Sequence, residues 1–186
     1  MTNRAFLAAA GGVILVALSG GGGLHAQSVG ERSGVNSLLG VSPSTADFVR
    51  TAALSDMFEI ASAKLALDRS TDAKVRAFAQ RMLKDHQTTT TELKAAIAGR
   101  DTIAAPPTAL DDAHETKLNQ LRNLKGLGFD RQYRTEQITA HEDAVSLFTR
   151  YGEGKEDQAL RDFATHALPT LKDHLRMAQA LPIMHE

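Results

Sequence analysis

Between Thr71 and Gly99 the chain reads TDAKVRAFAQRMLKDHQTTTTELKAAIAG, and its apolar residues Val75, Phe78, Ala79, Met82, Leu83, Leu93 and Ile97 recur at steps dominated by three and four. That is the period of an amphipathic α-helix with one face turned to a core. Thr71 or Asp72 is placed to cap its first turn, and Gly99 to end it in a left-handed conformation. His86 follows Met82 by four residues and precedes Leu93 by seven, so it points inward with the stripe. A helix that buries one face needs partners of the same kind.

The rest of the chain supplies them. Pro43-Ser44-Thr45 opens an earlier helix running to about Asp68, with Phe48, Ala52, Ser55, Glu59, Ser62 and Ala66 in line. An acid in that line is buried, and a buried acid needs a partner. After Gly99, the linker from Arg100 to Thr108 is kept out of helix by Pro106-Pro107. A short helix from about Ala109 to Lys125 carries Leu110, His114, Leu118, Leu121 and Leu124, and Gly126 and Gly128 stop it. The next begins near Phe129-Asp130, ends at Tyr151-Gly152, and turns Phe129, Tyr133, His141, Val145 and Phe148 to one face. The last starts at Asp157 and aligns Leu160, Phe163, Ala167, Leu171, His174, Ala178 and Leu181. Pro169 inside it predicts a kink, or a division into two pieces. Four long helices in short-looped pairs, with a short one in the crossover, predict an all-α, antiparallel four-helix bundle over residues 44–182.

The opening stretch reads as targeting rather than fold. Asn3-Arg4 is a short basic start, Ala5 to Leu18 is apolar, and Leu24-His25-Ala26 offers a cleavage point after residue 26. The apolar run falls short of the ~20 residues that span a bilayer, which favours a cleaved signal over a retained anchor. The expectation is an exported, periplasmic protein with no stable membrane insertion. Residues 27–43 are Gly- and Ser-rich and read as a disordered lead-in. The chain has no cysteine, which excludes disulfides, thiolate ligands and a lipidated N-terminal Cys. A net charge of −1 without a basic stripe excludes a nucleic-acid footprint. Pairing of two copies through an outer helix face stays open.

The segments FVRTAALSDMFEIASAKLAL, FAQRMLKDHQ, LDDAHETKLNQL, GFDRQY, AHEDAVSLF and LPTLKDHLRMA, in this order and spacing, resemble the bacterial family catalogued as domain of unknown function 4142. The resemblance runs from Asp47 to Leu181 and implies a ferritin-like bundle, exported, with no settled reaction. The positions it marks are Glu59, Asp85, His86, His114, His141, Glu142 and His174. Di-iron proteins of the ferritin-like kind repeat a Glu-x-x-His step on two helices. This chain contains none, and its nearest approach is Asp111-x-x-His114, which argues against a di-iron oxidase.

His86, His141 and His174 come from three long helices, each on the apolar stripe, and Glu59 comes from the fourth. At about 1.5 Å per residue, positions roughly 14, 15, 12 and 17 residues into their helices share a height near mid-bundle. Three imidazoles and a carboxylate suit a divalent transition metal such as zinc, copper or iron. Asp85, Glu142 and Asp173 neighbour the histidines and are candidate acceptors for their outer N–H groups, and His114 is placed to cap the site or to pack. Two alternatives stand beside a metal site: a metal-free buried network of histidines and Glu59, and an iron or haem redox protein. His166 falls at the edge of its stripe. Thr88 to Thr91 are expected to bond back to the preceding turn, and Tyr133 to donate into the core. No nucleophile–base arrangement, phosphate loop or carboxylate pair is present, so the sequence points to binding or a stress-linked role rather than turnover.

Overall fold

Side-chain caps fix where the helices begin in the computed structural model, which describes residues 28–32, 37 and 39–182. Helix α1 (Thr45–Arg69) starts where Ser44 Oγ accepts from the Asp47 amide at 3.1 Å. Helix α2 (Ala73–Ile97) starts where Asp72 accepts from the amides of Lys74 and Val75, and Gly99 leaves it at φ +71°. Helix α3 (Asp112–Arg122) begins three residues later than the apolar pattern suggests. Asp111 accepts from the His114 amide there, and a carboxylate caps better than the residues after the prolines. Helix α4 (Gly126–Gly152) begins three residues earlier than expected: Gly126, at φ +55°, turns the chain out of α3, and Gly128 lies inside the first turn without breaking it. Helix α5 (Gln158–Gln179) is capped by Asp157, which accepts from the Leu160 amide at 3.0 Å. Pro169 does not divide it. Both Pro169 and Thr165, whose carbonyl loses its helical donor, lie on the exposed side, where solvent serves that carbonyl.

Helices α1 and α2 pack together, α4 and α5 pack together, and α1–α4 and α2–α5 contacts close the ring. Helix α3 sits in the crossover against α1 and α4. Two apolar clusters show the directions. One joins Phe48 at the start of α1, Leu93 near the end of α2, Phe148 and Tyr151 near the end of α4, and Leu160 at the start of α5. The other joins Ala66, Val75, Phe78, Phe129, Tyr133 and Ala178 from the opposite helix ends. Every neighbouring pair of long helices is therefore antiparallel, with one long crossover, as the sequence predicts.

The aromatic residues concentrate at these ends. Phe48 stacks on Tyr151 with ring centroids 4.0 Å apart and meets Phe148 edge-on at 5.1 Å, while Phe129 stacks on Tyr133 at 5.9 Å. Such pairs add about 0.5–1.5 kcal/mol each beyond the area they bury.

The expected signal segment, 1–26, lies outside the described residues. The described part of the stretch expected as a disordered lead-in touches the bundle. Val29–Arg32 forms a single helical turn, the Ser28 amide donates to Asp47 Oδ1 at 2.9 Å, and Arg150 donates to the Val41 carbonyl at 2.6 Å. Among the described residues no helix is long and apolar enough to cross a membrane.

Candidate metal centre

Between the two apolar clusters lies a polar layer. His86 on α2, His141 on α4 and His174 on α5 are each about 1 % exposed, because each occupies an apolar position of its helix. Their ring centroids form a near-equilateral triangle of 5.3–5.6 Å, and one nitrogen from each ring lies within 4.8 Å of the other two. Tetrahedral zinc–imidazole bonds of about 2.0–2.1 Å place their nitrogens roughly 3.3–3.5 Å apart, so a bound ion would draw these three nitrogens closer together.

Each ring spends its other nitrogen on an outer partner. His86 Nδ1–H donates to Asp56 Oδ1 at 2.8 Å, and Thr90 Oγ1 donates to the other oxygen of the same carboxylate at 3.0 Å. His141 Nδ1–H donates to the Gln137 carbonyl, one turn back on its own helix, at 2.7 Å. His174 Nε2–H donates to Asp85 Oδ2 at 2.9 Å, and Arg81 holds that same oxygen. The remaining nitrogens, His86 Nε2, His141 Nε2 and His174 Nδ1, are buried and have no hydrogen-bond partner in the protein. Outer hydrogen bonds that fix each ring and aim a free lone pair inward are the usual support of a metal-binding imidazole.

Burial, with the His86 charge adding to it, pushes His141 down to about 3. Burial likewise carries His174 down to about 4, although Asp85 opposes it. Both are therefore neutral at pH 7 and hold free lone pairs. Burial also pulls His86 down, but the Asp56 carboxylate, aided by Glu59 and Asp85, outweighs it and leaves His86 raised.

Glu59 lies outside the cluster of mutually close ligand atoms. It is 1 % exposed, and neither carboxyl oxygen has a hydrogen-bond partner in the protein. Burial raises it to about 7, opposed by His86 and by Gln137, whose amide faces it just beyond hydrogen-bonding geometry.

The acceptors named from sequence separate. Asp85 meets His174 because it lies on the side of α2 that packs against α5. Glu142 is exposed, and Asp173 pairs with Arg176 on its own helix. One step along a helix rotates a side chain by about 100°, which carries both away from the core. His114 stands apart from the three histidines: its Nδ1 meets Asp111, the cap of α3, at 2.6 Å and its ring lies 5.9 Å from Phe58, so it packs and holds the cap. Asp56 and the Gln137 carbonyl are the two partners the sequence reading missed. Asp56 falls on the run Ala52, Asp56, Glu59, Ala63 at helical spacing, a signal that was present, whereas a backbone carbonyl leaves none. Of the four threonines, Thr88, Thr89 and Thr91 do bond back to the carbonyls of Lys84, Asp85 and Gln87, and Thr90 alone turns to the site.

Asp85 also reaches the surface. Its side chain is 17 % exposed and lines a groove with Arg81, Thr88, Glu92 and the exposed His166.

The family described as "Domain of unknown function (DUF4142)" matches residues 31–181. No curated protein matches the chain. Among solved structures, a DUF305 fragment from Deinococcus radiodurans superposes with a TM-score of 0.64 at 18% identity, covering 76% of this chain and 96% of that one. CopM in its Cu(II)-bound form superposes with a TM-score of 0.63 at 14% identity, over 75% of this chain and 96% of that one. Its Cu(I)-bound form gives 0.61 at 14%, over 74% and 94%. At these identities the likeness is one of fold.

Proposed function

The chain belongs to the DUF4142 family, and for this member we propose that it binds one divalent transition-metal ion at His86, His141 and His174, with the buried Glu59 carboxylate beside the site rather than among its ligands. The observation that carries this reading is the set of three inward ring nitrogens, all buried and without partners, while every outward nitrogen is anchored. A metal-free polar network would pair those inward atoms with one another or with Glu59, since leaving them buried and unbonded is costly. Imidazole donors with no thiolate suit copper(II), zinc or iron(II). Copper is favoured because the bundle shares its fold with CopM, whose Cu(II)- and Cu(I)-bound forms are known. The role that follows is holding or buffering the ion outside the cytoplasm, in keeping with the signal-like character of residues 1–26.

The direct test is elemental analysis of untagged protein prepared without chelator, beside His86→Ala and His141→Ala. The reading predicts about one ion per chain in the parent and none in either variant. Equal metal in all three, or none in the parent even after copper or zinc is added, would overturn it. N-terminal mass spectrometry of the exported protein is expected to find Gln27 first.

A further inference from the structure

Beside the three histidines, towards the Phe129 end of the bundle, a second group of buried polar atoms lacks partners. Tyr133, Gln137 and His141 follow one another at four-residue steps along α4, so they form one stripe, and Glu59 and Ser62 face it from α1. Gln137 Nε2 donates to Ser62 Oγ at 3.2 Å, and Ser62 Oγ donates to the Glu59 carbonyl at 3.2 Å, which ties the two helices together here. Phe78 closes one wall, its ring 6.1 Å from Tyr133 and 6.4 Å from His141. Within this frame both Glu59 oxygens, the Tyr133 hydroxyl and Gln137 Oε1 have no hydrogen-bond partner in the protein, and the three side chains are at most 1 % exposed.

We propose that the metal keeps its fourth coordination position for an exchangeable, water-sized ligand, and that Glu59, Tyr133 and Gln137 form the chamber that holds it. This deepens the three-histidine reading and rests on it. Three protein ligands with an open fourth position is the arrangement of sites that exchange a ligand, whereas closed structural sites use four. Glu59 stands outside the cluster of mutually close ligand atoms, so the three histidines leave the fourth position to a ligand from outside the protein. The atoms match such a guest. A water accepts from the Tyr133 hydroxyl, donates to a Glu59 oxygen and to Gln137 Oε1, and keeps a lone pair for the metal. A small anion uses the Tyr133 donor but meets the Glu59 charge.

The probe is sodium azide, added to copper(II)-loaded protein and read by its charge-transfer absorption and by EPR. The parent is expected to bind one azide per copper. Glu59→Gln should keep one copper and bind azide about tenfold more tightly, because a buried negative charge is gone. Tyr133→Phe should also keep one copper and bind azide about fivefold more weakly, for want of one hydrogen-bond donor. A spectrum unmoved by azide would overturn the proposal by showing the fourth position closed. Loss of copper from Glu59→Gln, in a variant that still melts cooperatively, would overturn it by making Glu59 a direct ligand. Both of those results leave the three-histidine site standing. A parent that takes up no copper removes the site and the chamber together.

Discussion

The two ends of the bundle and its middle are built on opposite rules. At the ends, aromatic and aliphatic side chains from all four helices fill the space, and their cohesion needs no directional partner. In the middle, three imidazoles and a carboxylate occupy core positions and turn unpartnered atoms towards one another. The ends hold the helices in register, which lets the middle keep an arrangement that is unfavourable on its own. Stability resides in the first region and chemistry in the second.

The sharpest way to break this division is to cut each region in turn. Phe48→Ala removes a fully buried ring from the stacked pair with Tyr151 and is expected to cost about 4 kcal/mol in urea unfolding of the metal-free protein. Metal stoichiometry should stay unchanged in whatever fraction remains folded. Asp56→Asn keeps the shape but weakens the support of His86, and it should lower metal affinity by ten- to a hundredfold in competition titrations. If Phe48→Ala abolishes binding in folded protein while Asp56→Asn leaves it unchanged, the division is wrong.

Glu59 tests the middle layer from the side of stability. Its carboxyl is raised from 4.5 to about 7 in the fold, so between those values the folded protein holds more protons than the unfolded chain. The stability this contributes is fully present below about pH 4.5 and is lost as pH rises through about 7. Glu59→Gln in chelator-treated protein should therefore stabilise the fold by about 3 kcal/mol at pH 8 and by little at pH 4.5. An equal change at both pH values in thermal melts would show that folding leaves this carboxyl unshifted and contradict its burial without a partner. The smallest contrast is among the threonines. Thr90→Val removes a hydroxyl bonded to Asp56 and should cost about 1 kcal/mol, while Thr88→Val and Thr91→Val, on exposed back-bonded hydroxyls, should stay within about 0.5 kcal/mol.

The ends were the legible part of the sequence because apolar periodicity is local: Phe48, Val75, Phe129 and Leu160 announce their faces within a few turns. The inward histidines were legible for the same reason, as polar exceptions on those stripes. What decided their partners was not local. Asp85 reaches His174 only because α2 and α5 are neighbours, while Asp173, equally adjacent to a histidine in sequence, turns to Arg176. The Gln137 carbonyl carries no residue signature at all. Helix limits slipped for a related reason, since Asp111 as a cap and Gly126 at positive φ override the apolar pattern beside them.

The central claim is tested most directly by X-ray absorption of the copper-loaded protein at the metal edge. The account predicts three imidazole ligands, recognised by the outer-shell scattering of their rings, with one further light atom in the first shell. A first shell with fewer than three imidazoles, or one containing thioether sulfur, would contradict it.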